Sequence, residues 1–231
     1  GDCFAHYANV CSPIELCSGD KLLIGGPSGG GKSTFIDGLC GKTEGITLNN
    51  GKPANYYPWI IDGHQGIANT EITALTIRKI FLNEPEDSFI MEAALLVFSK
   101  KELDKKLASL REEKPDSNPL DIKLENGLSG GQKHRMMIAT QLMNAIKHPE
   151  DYKMIVLDEP GSDSDDETVI DMFVKIFARF PKMIFVVVAH MNDLTIERLT
   201  KRGIVWTCRI QIEDGIITDY VAEQRDVPVI A

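Results

Sequence analysis

The stretch KLLIGGPSGGGKSTFIDGL, Lys21 to Leu39, constrains the fold more than any other part of the chain. Lys21 to Gly25 reads as a short buried strand, Gly26 to Lys32 as a loop, and Ser33 to Leu39 as the opening of a helix. Gly26-Pro27-Ser28-Gly29-Gly30-Gly31-Lys32-Ser33 satisfies G-x-x-x-x-G-K-[ST], and a strand–loop–helix unit is the setting that motif requires. Its glycines let backbone N–H groups turn inward around phosphate oxygens. Lys32 adds a point charge at the β- and γ-phosphates, and the Ser33 hydroxyl suits Mg²⁺. The helix that begins there adds the positive end of its dipole.

The rest of the chain supplies a sheet for that strand. GITLNNGKP (Gly45–Pro53) predicts a strand and a tight turn at Asn50-Gly51. From Thr70 to Leu120 charges are dense and the apolar spacing is helical, and FIMEAALLVFSKKELDKKLASL reads as one or two helices. REEKPDSNPLD (Arg111–Asp121) breaks them, and a further helix starts within LSGGQ and runs through KHRMMIATQLMNAIK. YKMIVLDEP and KMIFVVVAH are apolar runs suited to central strands, with the amphipathic TVIDMFVKIFARF between them. GIVWTCRIQIEDGIITDY closes the pattern with short strands around an Asp214-Gly215 turn. The expected fold is α/β, a largely parallel sheet with a helical insertion. A chain of 231 residues, 43% hydrophobic, is long enough for one such domain.

Composition excludes several classes. The formal net charge is −9, which argues against broad nucleic-acid binding, where a basic patch is expected. The five cysteines form no C-x-x-C pair and have no histidine cluster beside them, so a zinc site is not expected and a reducing compartment is the simpler reading. The longest apolar run, MIFVVVAH, falls short of the roughly 18 residues of a membrane span and suits a buried strand. The first residue is Gly, consistent with an excised domain.

Candidate site residues gather at predicted strand ends. Asp158 and Glu159 follow four apolar residues, at the edge where ligands bind in open α/β sheets. Asp158 suits a water-mediated Mg²⁺ contact, and Glu159 can orient or deprotonate an attacking water. His190 ends a second central strand, where its ring could hydrogen-bond a γ-phosphate. Gln65 sits where the core passes into the helical insertion, and its side-chain oxygen could ligate Mg²⁺. LSGGQ, with Ser129, Gly130, Gly131 and Gln132 at a helix start, looks like a second place to hold an anion.

These pieces, in this order, resemble the nucleotide-binding domain of ATP-binding cassette (ABC) ATPases. GPSGGGKST, which includes Thr34, resembles the Walker A motif of that family, LSGGQ its signature and MIVLDEP its Walker B motif. Gln65 matches the Q-loop position, His190 the switch histidine and Asp165 the D-loop aspartate. The resemblance implies a P-loop (RecA-like) core with a small antiparallel β subdomain, built from residues 1–65 and 148–231, and a helical subdomain over 66–147. It implies ATP and Mg²⁺ as cofactors, with Ser33, Gln65 and Asp158 on the metal and Lys32, Glu159 and His190 in catalysis. It also implies an aromatic upstream that stacks on adenine, for which Tyr7 is the choice over Phe4. The partner it implies is a second ABC domain, identical or homologous, paired head to tail. Each signature then closes over the ATP held by the other Walker A loop, and two sites form at once.

The chain departs from the family pattern at Gly161, where a threonine is usual, and at Asp163-Ser164, where Ala-Leu is usual. The leading expectation is the motor domain of a membrane transporter, at the cytosolic face, with a membrane-spanning partner. DIKLENGLSGGQ loosely resembles the stretch before the signature in exporters. One alternative is a soluble ABC machine of DNA maintenance or translation. The DNA branch inserts a long coiled coil, whereas here residues 66–127 alone separate Gln65 from the signature. Another is an ATP-binding module without turnover, but such cassettes usually lose the glutamate or histidine that this chain keeps as Glu159 and His190.

Overall fold

The computed structural model describes residues 3–4, 14–40, 60–62, 75–124, 128–161 and 164–222. Tyr7, Gln65 and the Gly45–Pro53 turn lie outside them. Two short strands, β1 (Cys3–Phe4) and β2 (Ile14–Glu15), pair antiparallel. Six further strands form one sheet: β3 (Lys21–Gly25), β4 (Ile60–Asp62), β5 (Met154–Asp158), β6 (Ile184–Val188), β7 (Cys208–Glu213) and β8 (Ile216–Ala222). Their order is β4-β5-β6-β3-β7-β8, with parallel pairing throughout except for β8, which folds back antiparallel on β7. The β7–β8 turn is the Asp214-Gly215 pair, both at positive φ (49° and 74°), as a tight hairpin turn demands.

The central strands are buried on both faces, which is why they read as continuous apolar runs rather than alternations. Alternate residues nevertheless go to opposite sides. Leu22, Ile24, Met154, Val156, Val186 and Val188 pack with Phe35 and Ile36 of helix α1 (Lys32–Leu39). Leu23, Ile155, Leu157, Phe185 and Val187 join the other cluster, with Phe173 and Ile176 of α6 (Asp166–Arg179). α7 (Asp193–Lys201) follows β6.

The described residues between β4 and β5 are mainly helical: α2 (Ile77–Ile80), α3 (Asp87–Val97), α4 (Lys100–Glu113), a 3₁₀ turn (Pro119–Asp121) and α5 (Gly130–Lys147). The run FIMEAALLVFSKKELDKKLASL is two helices because Ser99 caps α4, its hydroxyl accepting from the Glu102 N–H. α4 outlasts the expected break and ends at Glu113, just ahead of Pro115, whose ring disfavours helical backbone in the residue before it. Leu103, Leu107 and Leu110, spaced four and three apart, form its buried face. These helices share one apolar cluster with the α6 face of the sheet, so insertion and core are welded by common packing. No helix among the described residues is long and apolar enough to cross a membrane.

Candidate nucleotide site

Strand register assembles the site. Ile24 of β3 pairs with Val188 of β6, and Val188 pairs with Asp158 of β5, so three strand ends stand in one row. The residues that follow are Gly25, the last of β3, which leads into the glycine loop; Ala189 and His190; and Glu159. Two backbone bonds hold the row together: the Glu159 N–H donates to Val188 O (2.8 Å) and the Ala189 N–H to Ile24 O (3.2 Å). His190 lies two residues past the end of β6 rather than on it. This extra reach brings its Nε2 to 3.7 Å from Glu159 Oε1, with both side chains about half exposed (57% and 50%). Glu159 sits at φ 45°, a left-handed conformation that costs a residue with a Cβ on the order of 1 kcal/mol or more. The strained backbone is held by the Val188 bond.

The glycine loop wraps against the β7–β8 hairpin. A Cβ at Gly26 would lie 2.1 Å from Ile212 O, and one at Gly30 2.6 Å from the same atom. The Gly215 N–H donates to Gly30 O (2.9 Å). Gly31, at φ 103°, leads into α1 with no side chain capping that helix and no carboxylate in its first turn. The helix begins at Lys32, one residue earlier than its sequence suggests. Lys32 is 6% exposed, and its ammonium donates to Gly26 O and Pro27 O, 2.8 Å each. A bound γ-phosphate would exchange those carbonyls for anionic oxygens, a stronger class of bond.

A cleft of about 540 Å³ lies over this edge, lined by Gly25, Gly26, Pro27, Ala189 to Asn192, Gln211 and Glu213. Gln211 and Glu213 had no role in the sequence reading. They sit at alternate positions near the end of β7, beside the loop strand, and only the strand order brings them there. Ser33 at the start of α1 and Asp158 at the end of β5 offer oxygen ligands. Among the described residues no cluster of three or more His, Cys, Asp or Glu side chains could cage a metal by itself. Mg²⁺ bound with phosphates needs only one or two protein oxygens, so Ser33 and Asp158 beside a glycine-lined cradle fit it.

The second glycine turn is built differently. Ser129 caps α5: its hydroxyl accepts from the Gln132 N–H (3.2 Å), and Gln132 Oε1 accepts from the Ser129 N–H (3.0 Å). This capping box is closed within LSGGQ itself. Gln132 Nε2 also donates to Glu102 Oε1 of α4 (2.8 Å), the same oxygen that receives Arg135 Nη2 (2.8 Å). Arg135 is buried, lies 5.1 Å over the Phe98 ring, and donates through Nη1 to Ser164 Oγ (2.8 Å). Thus Ser164, where the family carries an apolar residue, links the signature helix to the loop after Walker B. Gly161 has its own local reason: a Cβ there would lie 2.8 Å from Val169 Cγ2. Asp165 caps α6, accepting from the Thr168 N–H (3.0 Å) and hydroxyl (2.8 Å); the backbone bond, then the hydroxyl, hold its pKa below the usual carboxylate value. None of Ser129 to Gln132 lines the cleft over the Walker A loop.

A glycine loop between β3 and α1, an acidic pair ending β5 and a parallel sheet with β3 inside it define a P-loop nucleotide-binding fold. Residues 13–162 match the ABC transporter family model, and the chain belongs to that family. It is an ATP-binding cassette. The chain is 30% identical over 192 residues to ABC transporter G family member 4 of Arabidopsis thaliana, covering 78% of this chain and 30% of that protein. ABC transporter G family member 24 of Dictyostelium discoideum is 28% identical over 180 residues, 72% of this chain and 14% of that one. The hemin import ATP-binding protein HmuV of Pseudomonas aeruginosa is 26% identical over 187 residues, 78% and 70% of the two chains. The chain therefore spans 14% to 30% of the length of the G-family relatives named here. Its fold is shared with a nucleotide-free ATP-binding cassette from an ABC transporter (TM-score 0.60, 20% identity, 97% and 92% covered). It is shared also with an ADP-conformation cassette (TM-score 0.58, 19% identity, 96% and 89% covered).

Proposed function

We propose that this chain binds Mg-ATP at the loop edge of its sheet, closes on it with a second cassette, and uses hydrolysis to drive a membrane-spanning partner. The observation that carries the reading is the row of strand ends, with Glu159 and His190 3.7 Å apart beside the glycine loop. Gly26 to Gly31 and Thr34 cradle the phosphates and Lys32 neutralises them. Glu159 takes the proton of the attacking water, and His190 faces the γ-phosphate. Mg²⁺, held by Ser33 and Asp158 with Gln65, would neutralise charge on the β- and γ-phosphates. Tyr7 remains the proposed adenine contact. The division into a core (1–65, 148–231) and a helical subdomain (66–147) belongs to the same reading.

In this reading Ser129, Gly130, Gly131 and Gln132 serve the nucleotide of the other cassette. The capping box consumes the Gln132 N–H, but the Ser129 hydroxyl proton and the N–H groups of Gly130 and Gly131 are left to face a phosphate. Names of the relatives, which include G-family transporters and a hemin importer's ATP-binding protein, favour a transporter and a position at the cytosolic face of a membrane. Glu159→Gln is the test. Turnover should fall by about 100-fold or more, the scale of losing a general base, while an ATP-bound dimer accumulates on size-exclusion chromatography. Turnover equal to the parent's would overturn the role of Glu159.

A further inference from the structure

A second cleft, of about 440 Å³, opens on the helical layer and shares no residue with the nucleotide cleft. Its walls converge from separate places: Thr76 and Lys79 at α2, Asn83 in the turn that follows, Lys114 just past α4, and Lys123 just past the 3₁₀ turn. Arg78 and Asp121 complete the lining. Four cations and one carboxylate meet here, in a chain whose net charge is −9.

The two kinds of cation differ. Arg78 is already engaged, its Nε donating to Asp121 Oδ1 (2.7 Å) and its Nη2 to Asp87. Asp121, then Asp87, raise its pKa through those bonds. Asp121, the one carboxylate of the lining, is paired with Arg78 through Oδ1. Lys79, Lys114 and Lys123 have no ion-pair partner among the described residues. Two neutral donors stand with them. Thr76 Oγ accepts from the Lys79 N–H (3.1 Å), which leaves its hydroxyl proton to donate outward. Asn83 presents an exposed amide.

These positions are pinned by backbone. Thr76 and Lys123 form an antiparallel bridge, and the adjoining Leu124 N–H donates to Leu75 O (3.2 Å). Asn83, at φ 60°, is held by its N–H to Arg78 O (2.9 Å). Three ammonium groups without ion-pair partners, a hydroxyl and an amide outnumber the single carboxylate of the lining, and such a donor-rich site suits an anion of two or more charges presented as phosphate oxygens. We infer that this cleft binds a multivalent phosphate-bearing anion, separately from the nucleotide. Such a ligand joins α2 to the end of α4 and to the segment that leads into the signature helix.

The test uses the chain with Lys32→Ala, which weakens phosphate binding at the nucleotide loop, and inorganic pyrophosphate as the probe in calorimetry. Pyrophosphate should bind, and the added substitutions Lys79→Gln, Lys114→Gln and Lys123→Gln should weaken it by about 10-fold or more. With Lys32 intact, the same three substitutions should leave ATP affinity within about twofold, because none lies at the loop. Vesicles of phosphatidylcholine with and without phosphatidic acid separate the sources. Lysine-dependent sedimentation with the phosphatidic acid vesicles assigns the site to a lipid headgroup. Pyrophosphate binding without sedimentation assigns it to a soluble phosphate. If the triple variant melts early, Lys114→Gln alone, at an exposed helix end, should still weaken pyrophosphate by about threefold. Pyrophosphate affinity unmoved by the lysine substitutions, with no lysine-dependent sedimentation, overturns the proposal.

Discussion

Two helices of this protein begin in glycine-rich turns, and they treat their own first N–H groups in opposite ways. α1 starts at Lys32 with no capping side chain and no carboxylate in its first turn. α5 starts at Gly130 behind a complete capping box formed by Ser129 and Gln132. An uncapped helix start inside a globular protein leaves donors unmet, and a phosphate satisfies them. A self-capped start is stable without a ligand and has fewer donors to give. The contrast favours α1 as the primary nucleotide seat and α5 as a rigid surface that meets a phosphate from outside. The Glu102–Arg135–Ser164 chain of bonds makes α5 more rigid still, tying its first two turns to α4 and to the loop after β5.

The largest effect should come from the open end. Lys32→Ala removes the buried ammonium and should cut ATP affinity, read by fluorescent-nucleotide titration, by about 100-fold, the scale of a lost charge-assisted contact to phosphate. A change of less than about threefold would mean that the loop backbone alone binds the phosphates. Ser129→Arg probes the closed end. Affinity of the monomer for ATP should stay within about twofold, because Ser129 is outside the Walker A cleft, while turnover and ATP-driven dimerisation are lost. A matching loss of monomer affinity would make α5 part of the same chain's site and erase the contrast.

Smaller effects sharpen it. Gln132→Ala deletes half of the capping box and the bond to Glu102, and should cost about 1 kcal/mol in denaturant unfolding. The matching change at α1, Thr34→Ala, should cost less, because no side chain caps that helix. The smallest effect concerns the far end of α5. Lys147 pairs with the buried Glu84, and that bond holds the Glu84 pKa below the usual carboxylate value of 4.5. A depressed folded pKa contributes stability above 4.5 that is lost as pH falls through the folded value. Glu84→Gln should therefore flatten the decline of melting temperature below about pH 4.5; an unchanged slope would show the pair to be idle.

Much of the fold was legible because its elements are local. The strand at Lys21–Gly25, the helix that starts within LSGGQ, the helix over TVIDMFVKIFARF and the Asp214-Gly215 turn follow from apolar period, capping and turn chemistry. The second of these helices starts two residues earlier, at Asp166, behind its Asp165 cap. Boundaries slipped where a neighbour intervened. β6 stops at Val188 because Ala189 leaves the strand after bonding Ile24, which sets His190 free to reach Glu159. α4 carries past Arg111 because no proline appears until Pro115. Asp163-Ser164 reads as an unusually polar loop in the sequence. Ser164 becomes intelligible once Arg135, 29 residues earlier, is seen to need an acceptor.

By itself, the sequence determined that this chain is a P-loop cassette and which motifs it carries, because each motif is a contiguous run whose chemistry depends on near neighbours. The tertiary structure decided that β3 lies between β6 and β7. It thereby put Glu159, His190, Gln211 and Glu213 around one loop, and gathered Lys79, Lys114 and Lys123 at another cleft. Those groupings depend on strand order, register and helix packing, which join residues far apart in the chain.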